Sequence, residues 1–208
     1  LVSKLDEDNH GFSPLDSGKH FAMDFGFVRG SDYSEKTEDG KTITSIDGYN
    51  SYLIIVDKAS RHVFTFLTKD KHPPIETVRS FLTQHGHPDC KGKTVRTDQG
   101  NELARSSAFR NLIDEFDFTL EVTAPQTSAQ NAIAERPNRT LAQMMRCMLH
   151  SAGLGPEYWS YALLHATYVK NRLPHQALNN KTPFELYTSK TPDLSSLRVF
   201  GCQVYVRG

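Results

Sequence analysis

Three acidic residues, each in its own short context, carry the chemistry that this sequence can do. Asp24 sits in FAMDFGFV, Asp98 in VRTDQGNE and Glu135 in NAIAERPNRTL. The first two close runs that read as β-strands, and the third opens a helical pattern. Strands that end in carboxylates can bring acids distant in sequence to one edge of a sheet. Three such acids form an all-oxygen site suited to Mg²⁺ or Mn²⁺. A pair of these ions is the standard device for in-line attack on a phosphodiester, so the pattern points to an enzyme acting on nucleic acid.

Each acid also has a plainer reading. Asp24 alone is what many solvated strand ends carry. Asp98 alone could simply form a turn, although Gly100 would let a backbone approach a ligand there. Glu135 can be tested by its facing on a helix. At roughly 100° per residue, Glu135, Arg139, Ala142, Gln143 and Arg146 share one arc, with Ile133, Leu141, Met144 and Met148 opposite. The helix is expected to pack by one stripe and to present an acid, two arginines and an amide on the other. Either this is a solvated face with a Glu135–Arg139 pair at i,i+4, or it is an acid at a metal with Arg139 and Arg146 following a phosphate backbone. Asp57 and Glu102 are the acids most easily mistaken for ligands. Asp57 is expected to end a hairpin strand, and Glu102 to occupy a solvated turn.

The elements needed to position these residues are legible in outline. Residues 20–28 alternate and are aromatic-rich, a first strand. Residues 29–48 hold three glycines and an excess of acids, and read as a loop or exposed hairpin inserted between strands. Residues 52–57 and 62–67 form a hairpin around a turn at 58–61. Pro73 and Pro74 suit a helix start, with Ile75, Val78, Phe81 and Leu82 at helical spacing. Residues 93–97 are a short strand delivering Asp98. Ser106 or Ser107 caps a helix whose apolar face is Phe109, Leu112, Ile113 and Phe116, and 118–122 is a fifth strand. The small, polar stretch APQTSAQN is expected to be mobile. A long helix then runs to about 151, either starting near Ala134 or kinking there, because Pro137 cannot donate to Ile133. A second helix covers about 157–171, with Trp159, Ala162, Leu163 and Ala166 available for packing. Pro183, Phe184 and Leu186 precede a last apolar run, LRVFGCQVYV.

Bulk properties narrow the class. The 208 residues suffice for one domain with extensions, and 38% hydrophobic with 23% charged residues is ordinary for a soluble globular chain. No apolar run approaches the roughly 20 residues that span a bilayer, and residues 1–16 lack a signal-like stretch. Three scattered cysteines suggest reduced thiols in an intracellular protein. His85, His87 and Cys90 lie close in HGHPDC, but no second ligand pair stands at finger-like spacing, so a loop is expected there. Formal net charge is zero. A module gripping DNA by its own surface would be basic, so the pattern suits a catalytic core that borrows affinity from elsewhere.

Taken together, the MDF strand, YLIIVDKASR, the TDQGNE turn and NAIAERPNRTLAQMMRCML resemble the catalytic core of retroviral-type integrases, specifically those of copia-type retrotransposons. YWSYALLHATYVKNRLP and KTPFELYTSKTPDLSSLRVFGCQVYV resemble the segment that follows the core in that group. The resemblance spans residues 21–206. It implies an α/β, ribonuclease-H-like fold, a five-stranded mixed sheet flanked by helices, with 1–19 a linker, 20–187 the core and 188–208 the start of an extension. It also implies that Asp24, Asp98 and Glu135 are the catalytic metal-binding triad. Asp24 would bridge two Mg²⁺ (or Mn²⁺) ions, Asp98 and Glu135 would each hold one, and no zinc is expected within this chain.

The implied activity is 3′ end processing followed by strand transfer of element DNA into target DNA. Loop 126–131 would position the DNA end, and Gln130, Asn131, Arg139, Gln143 and Arg146 would contact DNA. Double-stranded DNA is the expected partner, with a homo-oligomer (dimer or higher), no membrane, and a place in the nucleus and in cytoplasmic virus-like particles. Ala132 follows Asn131 where many relatives carry Gly, which should stiffen that loop. The rival readings are another ribonuclease-H-like nuclease or transposase, against which the segment from Tyr158 onward argues, and a silent or domesticated copy that only binds DNA or protein.

Overall fold

A computed structural model describes residues 16–30, 41–70, 72–87, 91–98, 102–123 and 128–203. Five strands form one sheet: β1 (His20–Gly26), β2 (Ser51–Asp57), β3 (Val63–Thr68), β4 (Thr94–Asp98) and β5 (Thr119–Thr123), in the order β3-β2-β1-β4-β5. β2 pairs antiparallel with both β1 and β3, while β4 pairs parallel with both β1 and β5. The sheet is therefore mixed, with helices on both faces, the architecture of a ribonuclease-H-like fold.

The strand pattern follows from the two cores. On one face Phe21, Met23, Phe25, Leu53, Ile55 and Val95 pack against α1 (Ile75–His85) and α3 (Ser107–Glu115). On the other, Tyr52, Ile54 and Val56 pack against α4 (Ser128–Ala152) and α5 (Trp159–Arg172). β2 is buried along its whole length, which is why SYLIIVD shows no polar alternation. Ser106 caps α3 by accepting from the Phe109 amide, as its position before the apolar run predicts. A four-residue helix, α2 (Glu102–Arg105), precedes it. Asn171 at the end of α5 locks that helix to the hairpin by accepting from the Val63 amide at 2.9 Å and donating to the Val63 carbonyl at 2.7 Å. A last helix, α6 (Pro183–Thr188), begins with a capping box between Thr182 and Glu185.

Three expectations change. The long helix does not start near Ala134, and residues 128–131 are not a loop: α4 already begins at Ser128 and carries Pro137 inside it. Ala129, Gln130, Ala132 and Ala134 are strong helix formers, and their propensity outweighs the polarity that suggested mobility. The stretch 124–127 lies outside the described residues. The helix ends at Gly153, whose positive φ of 64° suits a residue without Cβ, and Leu154 closes the turn by donating to the Leu149 carbonyl.

The packing stripe of α4 also differs from the expectation. Its fully buried members are Ala134, Leu141, Met145 and Leu149, while Met144 and Met148 are only partly buried. The stripe is thus turned toward Glu135 rather than lying opposite it. An acid opposite the packing face would point away from the sheet, so this rotation is what gives Glu135 access to the strands.

The 29–48 insertion closes as a hairpin at its base. Arg29 bridges Thr42, and the Ile43 amide donates to the Val28 carbonyl. Residues 31–40 lie outside the described residues. The returning limb is held by the Trp159 indole, which donates to the Ile43 carbonyl at 2.9 Å. Cys90 also lies outside the described residues, and His85 instead bonds the Tyr187 hydroxyl at 2.9 Å. Among the described residues, no helix is long and apolar enough to cross a membrane.

Candidate active site

The site is set by register. β1 and β4 run parallel with His20 opposite Thr94, Phe21 opposite Val95 and Ala22 opposite Arg96. Continued two residues beyond these pairs, the register sets Asp24 level with Asp98, toward the carboxyl ends of adjacent parallel strands. Side chains alternate across a strand, so both acids leave the sheet on one face, away from the core that holds Met23 and Phe25. That is the face crossed by α4, which packs against β1, β2 and β4. Glu135 is exposed on this helix.

The Asp24 carboxyl senses the other two acids. The Asp24 carboxyl is pushed up to about 6, chiefly by burial, with the negative charges of Asp98 and Glu135 adding to the rise. Hydrogen bonds from the Asn138 side chain and the Phe25 backbone work in the opposite direction. Asn138 Nδ2 donates to Asp24 Oδ2 at 3.0 Å. Its own Oδ1 accepts from the Tyr52 hydroxyl at 2.7 Å.

The donor set fits a hard dication. It is three carboxylates with no thiolate or imidazole, and one carboxyl is disfavoured as an anion by burial and by like charge, a situation that a bound cation relieves. Among the described residues no group of three His, Cys, Asp or Glu side chains is gathered closely enough to hold a metal.

The other candidates sort clearly. Asp57 is fully buried at the opposite end of the sheet, level with Phe21. Its carboxylate accepts from the Gly18 amide, the Ser60 amide and the Ser60 hydroxyl at 2.9, 2.8 and 2.6 Å, which makes it the organiser of the hairpin turn. Glu102 is exposed in the first turn of α2. Arg139, Gln143 and Arg146 are exposed on α4. Among the described residues no ion pair joins Glu135 to Arg139, so the intrahelical pair that would have made this an ordinary solvated face is not formed. The side chains of Gln130 and Asn131 lie outside the described residues.

Asn138 and Tyr52 are the residues that sequence reasoning missed. The signal for Asn138 was available: it stands three residues after Glu135, one helical turn on, and so shares its side of α4. Tyr52 gave no signal, since an aromatic in a buried strand reads as core.

No protein-family profile matches the chain. Individual relatives do. Over 164 residues, 78% of the chain, it is 31% identical to the retrovirus-related Pol polyprotein from transposon TNT 1-94 of Nicotiana tabacum. It is 30% identical over 165 residues to those from transposons RE2 and RE1 of Arabidopsis thaliana. The matches span only 11–12% of these polyproteins. By sequence, the chain is similar to one stretch of the Pol polyproteins of copia-type plant retrotransposons, and its mixed five-stranded sheet is consistent with an integrase core region.

Proposed function

We propose that this chain is the catalytic core of a retrotransposon integrase, trimming the 3′ ends of element DNA and joining them to target DNA. The observation that carries the reading is the level placement of Asp24 and Asp98 on adjacent parallel strands, with Glu135 in electrostatic reach from α4. Two Mg²⁺ or Mn²⁺ ions at these carboxylates would supply activation of the attacking oxygen and stabilisation of the departing one.

The chain's own residues do the rest. Asp24 is the fixed acid, held by Asn138 from one side. Asp98 presents its carboxylate from the end of β4. Glu135, exposed on the helix, is the acid that closes the site. Arg139, Gln143 and Arg146 continue along α4 and give phosphate contacts that set register and affinity rather than sequence choice.

Two results test this reading. A chain of zero formal net charge should not hold two DNA ends together, so concerted joining of linear ends by this chain alone should be negligible. The reverse reaction on a pre-branched substrate needs only the acids and Mn²⁺, and should proceed. Efficient concerted joining by the chain alone would show that its affinity is not borrowed, and no cleavage of the branched substrate would count against the catalytic reading itself. Separately, Arg139→Ala or Arg146→Ala should weaken duplex binding about equally across sequences. Each should flatten the slope of log K against log salt by about one unit per lost contact. An unchanged slope would remove these arginines from the interface.

A further inference from the structure

We propose that Tyr52 is a positioning residue of this site: its hydroxyl anchors the Oδ1 end of the Asn138 amide, and so keeps the donor end on Asp24. The inference rests on the integrase reading for its catalytic consequence, but not for its geometry.

An asparagine amide has a donor end and an acceptor end of nearly the same shape, and only its partners decide the orientation. Here Oδ1 meets the Tyr52 hydroxyl at 2.7 Å and Nδ2 meets Asp24 Oδ2 at 3.0 Å. Turned over, the amide would set its oxygen against the carboxylate. Asp24, when ionised, only accepts, so it can reward the observed orientation but does nothing for Oδ1. The hydroxyl supplies that second half. Burial, with the Asp24 charge adding to it, holds the phenol well above its ordinary range, so Tyr52 stays protonated and remains a donor.

The ring is built into place for this task. Tyr52 is 2% exposed and lies against the Trp159 ring, centroids 5.9 Å apart. Gly26 stands opposite it in the β1–β2 register. A Cβ at Gly26 would come within 2.0 Å of the Tyr52 ring, so the glycine two residues after Asp24 makes the space through which the ring reaches α4. A phenylalanine at position 52 would fill the same space. The hydroxyl is needed only for Asn138.

The test uses the whole chain with Tyr52→Phe, Asn138→Ala and the double variant. On the branched substrate with Mn²⁺, Tyr52→Phe should lose about tenfold, the worth of one buried hydrogen bond. Asn138→Ala should lose at least as much, and the double variant no more than Asn138→Ala alone, because the two act in series. Independent losses that multiply in the double variant would overturn the relay. Asn138→Asp keeps an acceptor for Tyr52 but removes the donor to Asp24, and should lose as much as Asn138→Ala.

A metal-free readout separates the relay from the catalytic reading. The Asn138 side-chain amide resonances, located by their response to Asp24→Asn, should shift in Tyr52→Phe while the backbone spectrum is preserved. Unmoved amide resonances would sink the proposal whatever the activity. Shifted resonances in a chain that neither binds Mn²⁺ nor cleaves the branched substrate would leave the relay standing and remove the integrase reading.

Discussion

Asp98→Asn should abolish reversal of strand transfer on the branched substrate, a loss of about a thousandfold or more, while leaving the melting temperature nearly unchanged. The carboxylate stands at the end of β4, level with Asp24 on one side and paired with Thr123 of β5 on the other. An amide keeps the shape, so the strand pairing survives. What it removes is the charge that a hard dication requires, and three decades in rate correspond to about 4 kcal/mol of transition-state stabilisation.

The informative control is Asp57→Asn. That side chain is fully buried and organises a turn through three hydrogen bonds at the far end of the sheet. Its amide cannot serve all three donors, so the substitution should lower stability by about 1–3 kcal/mol. Per folded molecule, the activity of Asp57→Asn should be ordinary. Near-normal cleavage of the branched substrate by Asp98→Asn would overturn the triad, and equal inactivation of folded Asp57→Asn would mean that position in the sheet does not distinguish these acids.

The contrast between Asp98 and Asp57 also shows what the sequence can reveal. Both follow β-branched runs, and their placement depends on strand direction rather than on local pattern. The strands themselves were legible, because the β-branched and aromatic runs VFTFL and YLIIV favour extended backbone, and the helix after Ser106 declared itself through its cap. The start of α4 was not, although its end near residue 151 was. Its first turn is spelled with small and polar residues whose helix propensity is high but whose look is that of a loop.

The facing of α4 was misjudged for a related reason. Met144 with Met148 and Met145 with Leu149 are equally apolar pairs at i,i+4 spacing, so periodicity cannot choose between them. The choice is made by the sheet beneath, and with it came the position of Asn138. Tyr52 lay further out of reach. Its role needs Gly26 opposite it and α4 above it, and neither relation is local. The T-P-F-E cap of α6 carries a capping-box signature, but neither a helix nor a cap was expected over 182–186.

Asp24→Asn should make the metal-free chain more stable, even as it removes the site. The carboxyl's ordinary value is 3.8 and its folded value is about 6. Between these values the folded chain binds more protons than the unfolded one, so stability falls as pH rises from about 4 to about 6. Above that window the buried anion imposes a constant burden. A shift of this size corresponds to about 2–3 kcal/mol, and an asparagine of the same shape, still within reach of the Asn138 donor, does not carry it.

At pH 8 in a chelator, the variant is therefore expected to melt roughly 4–8 °C above the wild-type chain, taking about 2 kcal/mol at this chain length. At pH 4.5 Asp24 is largely protonated when folded, and the difference should shrink toward zero. Added Mn²⁺ should reverse the order at pH 8, because an ion that binds only the folded wild type raises its melting point while the variant has lost a ligand. Calorimetry of both chains at the two pH values, with and without Mn²⁺, gives all of these comparisons. A variant less stable than wild type at pH 8 in chelator, or a gap that ignores pH, would mean that Asp24 is not the strained acid of this site. A wild-type melting point unmoved by Mn²⁺ would mean that the strain is not kept for a metal.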